Sequence, residues 1–252
     1  MLKPFLIALQ FLTRLPVPQS LLGSEIASDR QLGLSVLMYP LVGLVIGGML
    51  ILFPWLVQEF NYQVDAQIMA AIVLFVWVLI TGALHLDGLS DSADAWVGGF
   101  GDKTRTLEIM KDPYSGPAGV SIIVIVLIAK FAALITIVAM PVMPLLLIPV
   151  LARTAVIALF LTTPYVRKEG IGAKHIAAMP KLGGMLVLLL VIAACGWLFQ
   201  LAALWLILAL VAVFILLRLL MQRRIGGTTG DTAGALIEVI EMVGLLVIAV
   251  IF

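Results

Sequence analysis

Long apolar runs alternate with short polar segments from one end of the chain to the other. A membrane span needs about 20 consecutive apolar residues, and seven stretches qualify, roughly 32–57, 66–84, 117–140, 142–162, 183–199, 201–219 and 234–252. The stretch from Gly183 to Leu220 is long enough for two spans hinged at Gln200, and a single long tilted helix there, leaving six spans, is the alternative. Leu2 to Leu12 reads as a short amphipathic helix on the membrane surface. Arg14 and two prolines then stop it without a small-residue cleavage site, unlike a signal peptide. Gly43 and Gly47 form a GxxxG in the first span, a helix-packing signal. The pattern predicts one all-α domain over 1–252, a polytopic membrane bundle of about seven (six or seven) helices, with short polar helices between spans.

Composition agrees. The 252 residues are 63% hydrophobic and 12% charged, against roughly 25% charged in soluble domains, and the mean hydropathy is +1.22. A net charge of +1 says nothing about nucleic acid, but there is no basic tail, and no nucleic-acid partner is expected. Cys195, the only cysteine, lies in an apolar run, so neither a disulfide framework nor a cysteine metal site is expected.

Charge placement orients the spans. With the N-terminus inside, the inner segments 1–31, 85–116, 163–182 and 220–233 hold Lys3, Arg14, Arg30, Lys103, Arg105, Lys111, Arg167, Lys168, Lys174, Lys181, Arg223 and Arg224. The outer loop Gln58 to Ala66 carries Glu59 and Asp65 and no cation. The positive-inside rule therefore puts the long polar segments, and any site they build, on the cytoplasmic face of the membrane. Arg218 sits at an inner helix end, and only Lys130 and Arg153 remain deep.

The polar segment 85–116 is where chemistry concentrates. It holds six of the fourteen acidic residues of the chain. In HLDGLSDSADAW, Asp87, Asp91 and Asp94 are spaced i, i+4, i+7, which puts all three on one helical face with no cation among them. After the Gly98–Gly101 break, Asp102 is a plausible N-cap for a second helix, KTRTLEIMKD, ended by Pro113, on which Arg105, Glu108 and Asp112 share a face. Folded together, the two helices would set Asp87, Asp91 and Asp94 opposite Glu108 and Asp112. Such a gap suits Mg²⁺, a hard cation that takes carboxylates, water and phosphate oxygens, and five acids leave room for two ions. Arg105 and Lys111 would hold phosphate. The bland reading is a solvated acidic loop. His85 could orient a ligand or simply be a satisfied interfacial histidine.

A second polar segment, GGTTGDTAGALIEVIEMVG (Gly226 to Gly244), runs into the last span. Its Gly227 and Thr229 offer backbone N–H groups for a phosphate nest, with Asp231 nearby. Glu238 and Glu241 are intramembrane acids, which are paired or functional by default. Lys130 and Arg153, at similar depth, either pair with them or reach a phosphate. Arg167, Lys168 and Lys174 form a basic loop suited to an anionic substrate, although the positive-inside rule alone would account for them.

FLTRLPVP (Phe11 to Pro18), YPLVGLVIGG (Tyr39 to Gly48), HLDGLSDSADAW, LEIMKDPYSGPAGV (Leu107 to Val120), EGIG (Glu169 to Gly172) and GGTTGDTAGALIEVIE (Gly226 to Glu241) stand in this order. The combination, over nearly the whole chain, resembles the cobalamin synthase family, adenosylcobinamide-GDP ribazoletransferase. Ala95 stands where that family often has Gly, and Tyr114 and Ser115 fall at variable positions. The resemblance implies an Mg²⁺-dependent transfer at the inner membrane, with one or two ions. α-Ribazole or its 5'-phosphate attacks GDP-activated cobinamide, GMP leaves, and adenosylcobalamin or its 5'-phosphate forms. It also implies Asp87, Asp91, Asp94, Glu108 and Asp112 as the metal and catalytic set, with Asp231 a further candidate. Within the set we expect Asp87 and Asp94 as ligands and Asp91 as a base. The chain is compatible with a homo-oligomer.

Two other classes share some of these features. A CDP-alcohol phosphotransferase-like lipid enzyme also clusters aspartates at helix ends, but its DGxxAR pattern is missing, since Gly88 is followed by Leu89, Ser90 and Asp91. A membrane transporter would set its polar groups near the midplane, whereas these acids gather at one face.

Overall fold

A computed structural model describes residues 1–23, 27–60, 62–139, 143–167 and 171–251. Lys168, Glu169 and Gly170, part of the basic loop and of EGIG, lie outside them. The described residues form thirteen helices: α1 (Leu2–Leu12), α2 (Gln19–Leu22), α3 (Asp29–Leu37), α4 (Tyr39–Glu59), α5 (Ala66–Thr81), α6 (Leu84–Gly98), α7 (Lys103–Ile109), α8 (Pro117–Ile137), α9 (Met143–Thr162), α10 (Ile171–Ala177), α11 (Lys181–Phe199), α12 (Leu201–Ile225) and α13 (Gly230–Ile251). Among them is no strand, only an isolated bridge between Tyr165 and Thr228. The all-α expectation holds.

Six helices are long and apolar enough to cross a membrane, α4, α8, α9, α11, α12 and α13, and α5 with α6 makes a seventh if that bent pair is one span. Several expected boundaries move. The stretch 32–57 divides at Met38 into α3, opened by a Ser28–Gln31 capping box, and the span α4. The stretch 201–219 continues to Ile225, and the last span begins at Gly230 rather than 234. Gln200, at φ 48°, separates α11 from α12, so the two-span reading of Gly183 to Leu220 stands.

The chain turns sharply at residue 82, close to the expected end of the 66–84 stretch. Gly82 and Ala83 are both left-handed (φ 59° and 56°), and α6 leaves α5 at 84°. Glycine is needed there twice over, because positive φ favours it and a Cβ would collide with the Arg14 side chain. The 16 residues of α5 rise about 24 Å, short of the ~30 Å hydrocarbon thickness. α6 packs across the first turns of α8 and α13.

The core is a helix-on-helix packing. α4 meets α9 through the GxxxG face: a Cβ on Gly43 or Gly47 would stand 2.7 Å from the backbone of Pro149 or Leu146. Tyr39, Val42, Ile46 and Leu50 of α4 interdigitate with Leu145, Ile148, Ala152 and Val156 of α9, all buried in one cluster. α13 packs against α6, α8, α9 and α12. The α11–α12 hairpin stands at the edge, with Leu189, Leu190, Trp197 and Trp205 exposed, a surface suited to lipid tails.

Candidate functional site

The acidic segment folds as two helices, as its pattern predicts, but they do not close on each other. α6 crosses the first turns of α8 and α13. Gly88 lets it touch α13, since a Cβ there would lie 2.6 Å from the Asp231 carbonyl oxygen. Asp94 reaches α8, where its two carboxylate oxygens accept from Gly116 N–H (2.7 Å) and Gly119 N–H (2.9 Å). Asp94 therefore caps a neighbouring helix, stabilised by the helix dipole. A side chain on Gly119 would displace Asp94 and Ser90. Gly116 and Gly119 belong to the motif LEIMKDPYSGPAGV, yet only the fold shows what they do.

α7 turns the other way. Asp102 caps it, accepting from Arg105 N–H at 2.9 Å, and its buried side carries Thr106, with Met110 just beyond. Glu108 faces solvent, paired among the described residues only with Arg105 at 3.7 Å, both side chains more than 60% exposed. The helix stops at Ile109, so Asp112 is not on the expected stripe, and its carboxylate accepts from Tyr114 N–H at 3.0 Å. Lys111 is exposed. The expected gap flanked by five acids is therefore not formed, because α7 spends its inward face on packing.

Asp231 stands where Glu108 and Asp112 were expected. It sits in the first turn of α13 and pairs with Arg167 at 2.8 Å, while Arg167 also donates to the Met110 carbonyl at 3.2 Å. Asp87 and Asp231 line one cavity. Burial, with Asp87 and Asp231 nearby, raises the Asp91 carboxyl to about 6. Asp87, at the solvent edge of α6, is exposed. Burial also raises the Tyr165 hydroxyl, beside Asp231.

The expected phosphate contacts of four residues give way to structural roles. Lys130 donates to Glu238 and Glu241 at 2.6 Å each, and Arg153 pairs with Glu241. All four are buried, and Lys130 also lies 5.0 Å from the Trp77 ring centroid. Two cations facing two anions neutralise each other between α8, α9 and α13, the paired arrangement that buried charge requires. Gly227 is pressed against the Pro164 carbonyl. Thr229 is fully buried, and its N–H donates to Thr232 Oγ1 at 2.9 Å, so the loop caps α13 instead of opening a nest. Arg218 donates to the Thr162 carbonyl at 2.6 Å and Arg224 to the Trp96 carbonyl at 3.2 Å, cations placed at the C-terminal ends of α9 and α6.

Among the described residues no three His, Cys, Asp or Glu side chains converge tightly enough to hold a metal by themselves. The donor chemistry nevertheless fits Mg²⁺, which takes one or two carboxylates and completes its shell with water and substrate phosphate. Asp87, Asp91 and Asp231 supply such oxygens with one cation, Arg167, beside them.

The cavity below this cluster has a volume of about 260 Å³. Asp87, His85, Asp231 and Tyr165 line it together with Phe11, Leu12, Tyr39, Val156, Phe160 and Ile237. Sequence reading did not foresee it, because its walls come from six separate helices.

The family model described as cobalamin-5-phosphate synthase matches residues 4–249. A protein of Pseudomonas putida (strain GB-1) is 51% identical over 247 residues, 98% of each chain, and is named adenosylcobinamide-GDP ribazoletransferase. Proteins of the same name from Stutzerimonas stutzeri (strain A1501) and Pseudomonas fluorescens (strain Pf0-1) are 50% identical over 94% of each chain and 49% identical over 95% of this chain and 96% of theirs. No solved structure matches.

Proposed function

Since the chain belongs to the cobalamin-5-phosphate synthase family and is an enzyme of cobalamin synthesis, we propose that its acidic face joins adenosylcobinamide-GDP to α-ribazole or α-ribazole 5'-phosphate. A lipid phosphotransferase and a transporter fall away, because the family match runs through both polar motifs. The observation that carries the site assignment is the meeting of Asp87, Asp91 and Asp231, with Arg167, over a cavity lined by α1, α4, α6, α9, α10 and α13.

The acceptor's 5'-oxygen forms a bond to the phosphorus on the cobinamide side of the diphosphate. The P–O bond to GMP breaks, its electron pair leaves with GMP, and a hydroxyl nucleophile gives its proton to a carboxylate. Asp91 suits that last task, since a base raised to about 6 still accepts a proton near neutral pH. Asp87 and Asp231 would hold Mg²⁺, which when bound draws negative charge off the diphosphate and the departing GMP. Arg167 keeps Asp231 oriented. Asp94 positions α6 on α8. Glu108, Asp112, Arg105 and Lys111 lie outside this set. The distribution of Lys and Arg supports an orientation with this face in the cytoplasm, in the inner membrane.

The test uses detergent-solubilised full-length protein supplied with adenosylcobinamide-GDP, α-ribazole and Mg²⁺. GMP and adenosylcobalamin are expected, with EDTA stopping turnover and added Mg²⁺ restoring it. No GMP release under these conditions would sink the reading; undiminished release in EDTA would remove the metal from it.

A further inference from the structure

The cavity under the acidic helix is more apolar than phosphate chemistry requires. Its deep wall is Leu12, Val156 and Ile237, each at most 4% exposed. Ring-bearing side chains stand on two sides of it. Phe11 stacks on Tyr39 with centroids 6.4 Å apart and on His175 at 5.1 Å, while Phe160 meets Tyr165 edge-on at 6.4 Å. His175 is itself fixed by Ser35 Oγ at 3.1 Å. These contacts hold the aromatic wall in place before any ligand arrives, which lowers the ordering cost of binding.

Size and polarity together select the occupant. Clefts for drug-sized ligands run about 300–1,000 Å³, so about 260 Å³ admits one fused ring system and not a corrin macrocycle. Three bulky groups converge on the carboxylates in the proposed reaction: the corrin, the guanine and the acceptor's base. Guanine carries donors and acceptors around its edge, and leaving one buried without a partner costs about 1–3 kcal/mol. Leu12, Val156 and Ile237 provide none; the polar groups of the lining are Asp87 and Asp231 at the reacting end, the hydroxyls of Tyr39 and Tyr165, and His85, whose buried Nδ1 has no partner among the described residues and can meet a single ring nitrogen. A benzimidazole presents an apolar edge and two faces for stacking.

We propose that this cavity is the acceptor subsite: it takes the benzimidazole ring of α-ribazole and directs the ribose 5'-oxygen to the rim where Asp87 and Asp231 stand. The inference rests on the reading of the acidic face as the transferase centre. Lower-ligand choice is then set by Val156 and Phe160 on the cavity wall, residues far from the aspartate motif in sequence.

Steady-state kinetics on Val156→Phe, with each substrate varied in turn, tests it. Filling the cavity should raise KM for α-ribazole about tenfold or more, the scale of excluding a few methylenes' worth of space, with KM for adenosylcobinamide-GDP unchanged. A rise confined to adenosylcobinamide-GDP would assign the cavity to guanine or corrinoid and overturn the proposal, as would no change in either. Because Val156 is buried, the enlarging variant Phe160→Ala is measured as well. It should shift kcat/KM toward a naphthalene-fused α-riboside over the benzimidazole one by about tenfold, and an unshifted ratio counts against the subsite. Wild-type protein run alongside separates the two levels. If it releases no GMP with α-ribazole, the transferase reading itself fails; if it does and both variants behave like it, only the subsite fails.

Discussion

Asp87 and Glu108 have the same charge and lie on neighbouring helices, but the fold gives them different surroundings. Asp87 lines the cavity beside Asp231, whereas Glu108 has only an exposed arginine for company. Asp87→Ala should lower kcat for GMP release by about 100-fold or more, the usual scale for a lost acid–base or metal-binding group. Because Asp87 is solvent-exposed, the protein should keep its thermal unfolding midpoint. Glu108→Gln should leave turnover within about twofold, as surface ion pairs contribute little. Equal losses in the two variants would restore the five-carboxylate site that spacing alone suggests.

At the scale of elements, two contacts decide where the acids end up. The α5–α6 bend sets α6 at 84° to α5, and α6 is then pinned by Gly88 on α13 and by Asp94 on α8. The α4–α9 seam carries part of the wall, since Tyr39 and Val156 come from these two helices. Gly47→Leu would drive a side chain into the α9 backbone. Forcing atoms into a closed packing costs about 1–3 kcal/mol, so a lowered unfolding midpoint in detergent is expected, with loss of α-ribazole turnover as the seam opens. An unchanged midpoint would mean that the GxxxG face does not bear on α9.

Across the whole molecule, the buried quartet of Lys130, Arg153, Glu238 and Glu241 ties three spans together through charge. Glu241→Gln would leave two buried cations sharing one remaining carboxylate. Removing one partner of such a pair costs about 3–5 kcal/mol, and the expected outcome is a strongly reduced yield of folded protein in detergent. Normal yield and an unshifted midpoint would show that the quartet contributes no stability. Orientation is checked with a thiol: Cys195 is buried, so Lys111→Cys offers an exposed target. A membrane-impermeant maleimide should label it in inverted vesicles and leave it unlabelled in intact cells. The reverse pattern would place the acidic face outside. Much of this organisation is legible in one dimension. Span number, the amphipathic α1, the Gln200 hinge and the helical grouping of Asp87, Asp91 and Asp94 follow from hydrophobic periodicity, because each depends on residues a few positions apart. The GxxxG face is also visible in the sequence as a helix-packing signal, although its partner α9 is not. The exchange of Glu108 and Asp112 for Asp231, the capping role of Asp94 and the aromatic cavity depend on which helices cross. That is set by a left-handed turn at Gly82–Ala83 and by backbone approaches between residues well over a hundred positions apart, such as Gly88 and Asp231. Local pattern determines what each helix is; only packing decides which faces meet.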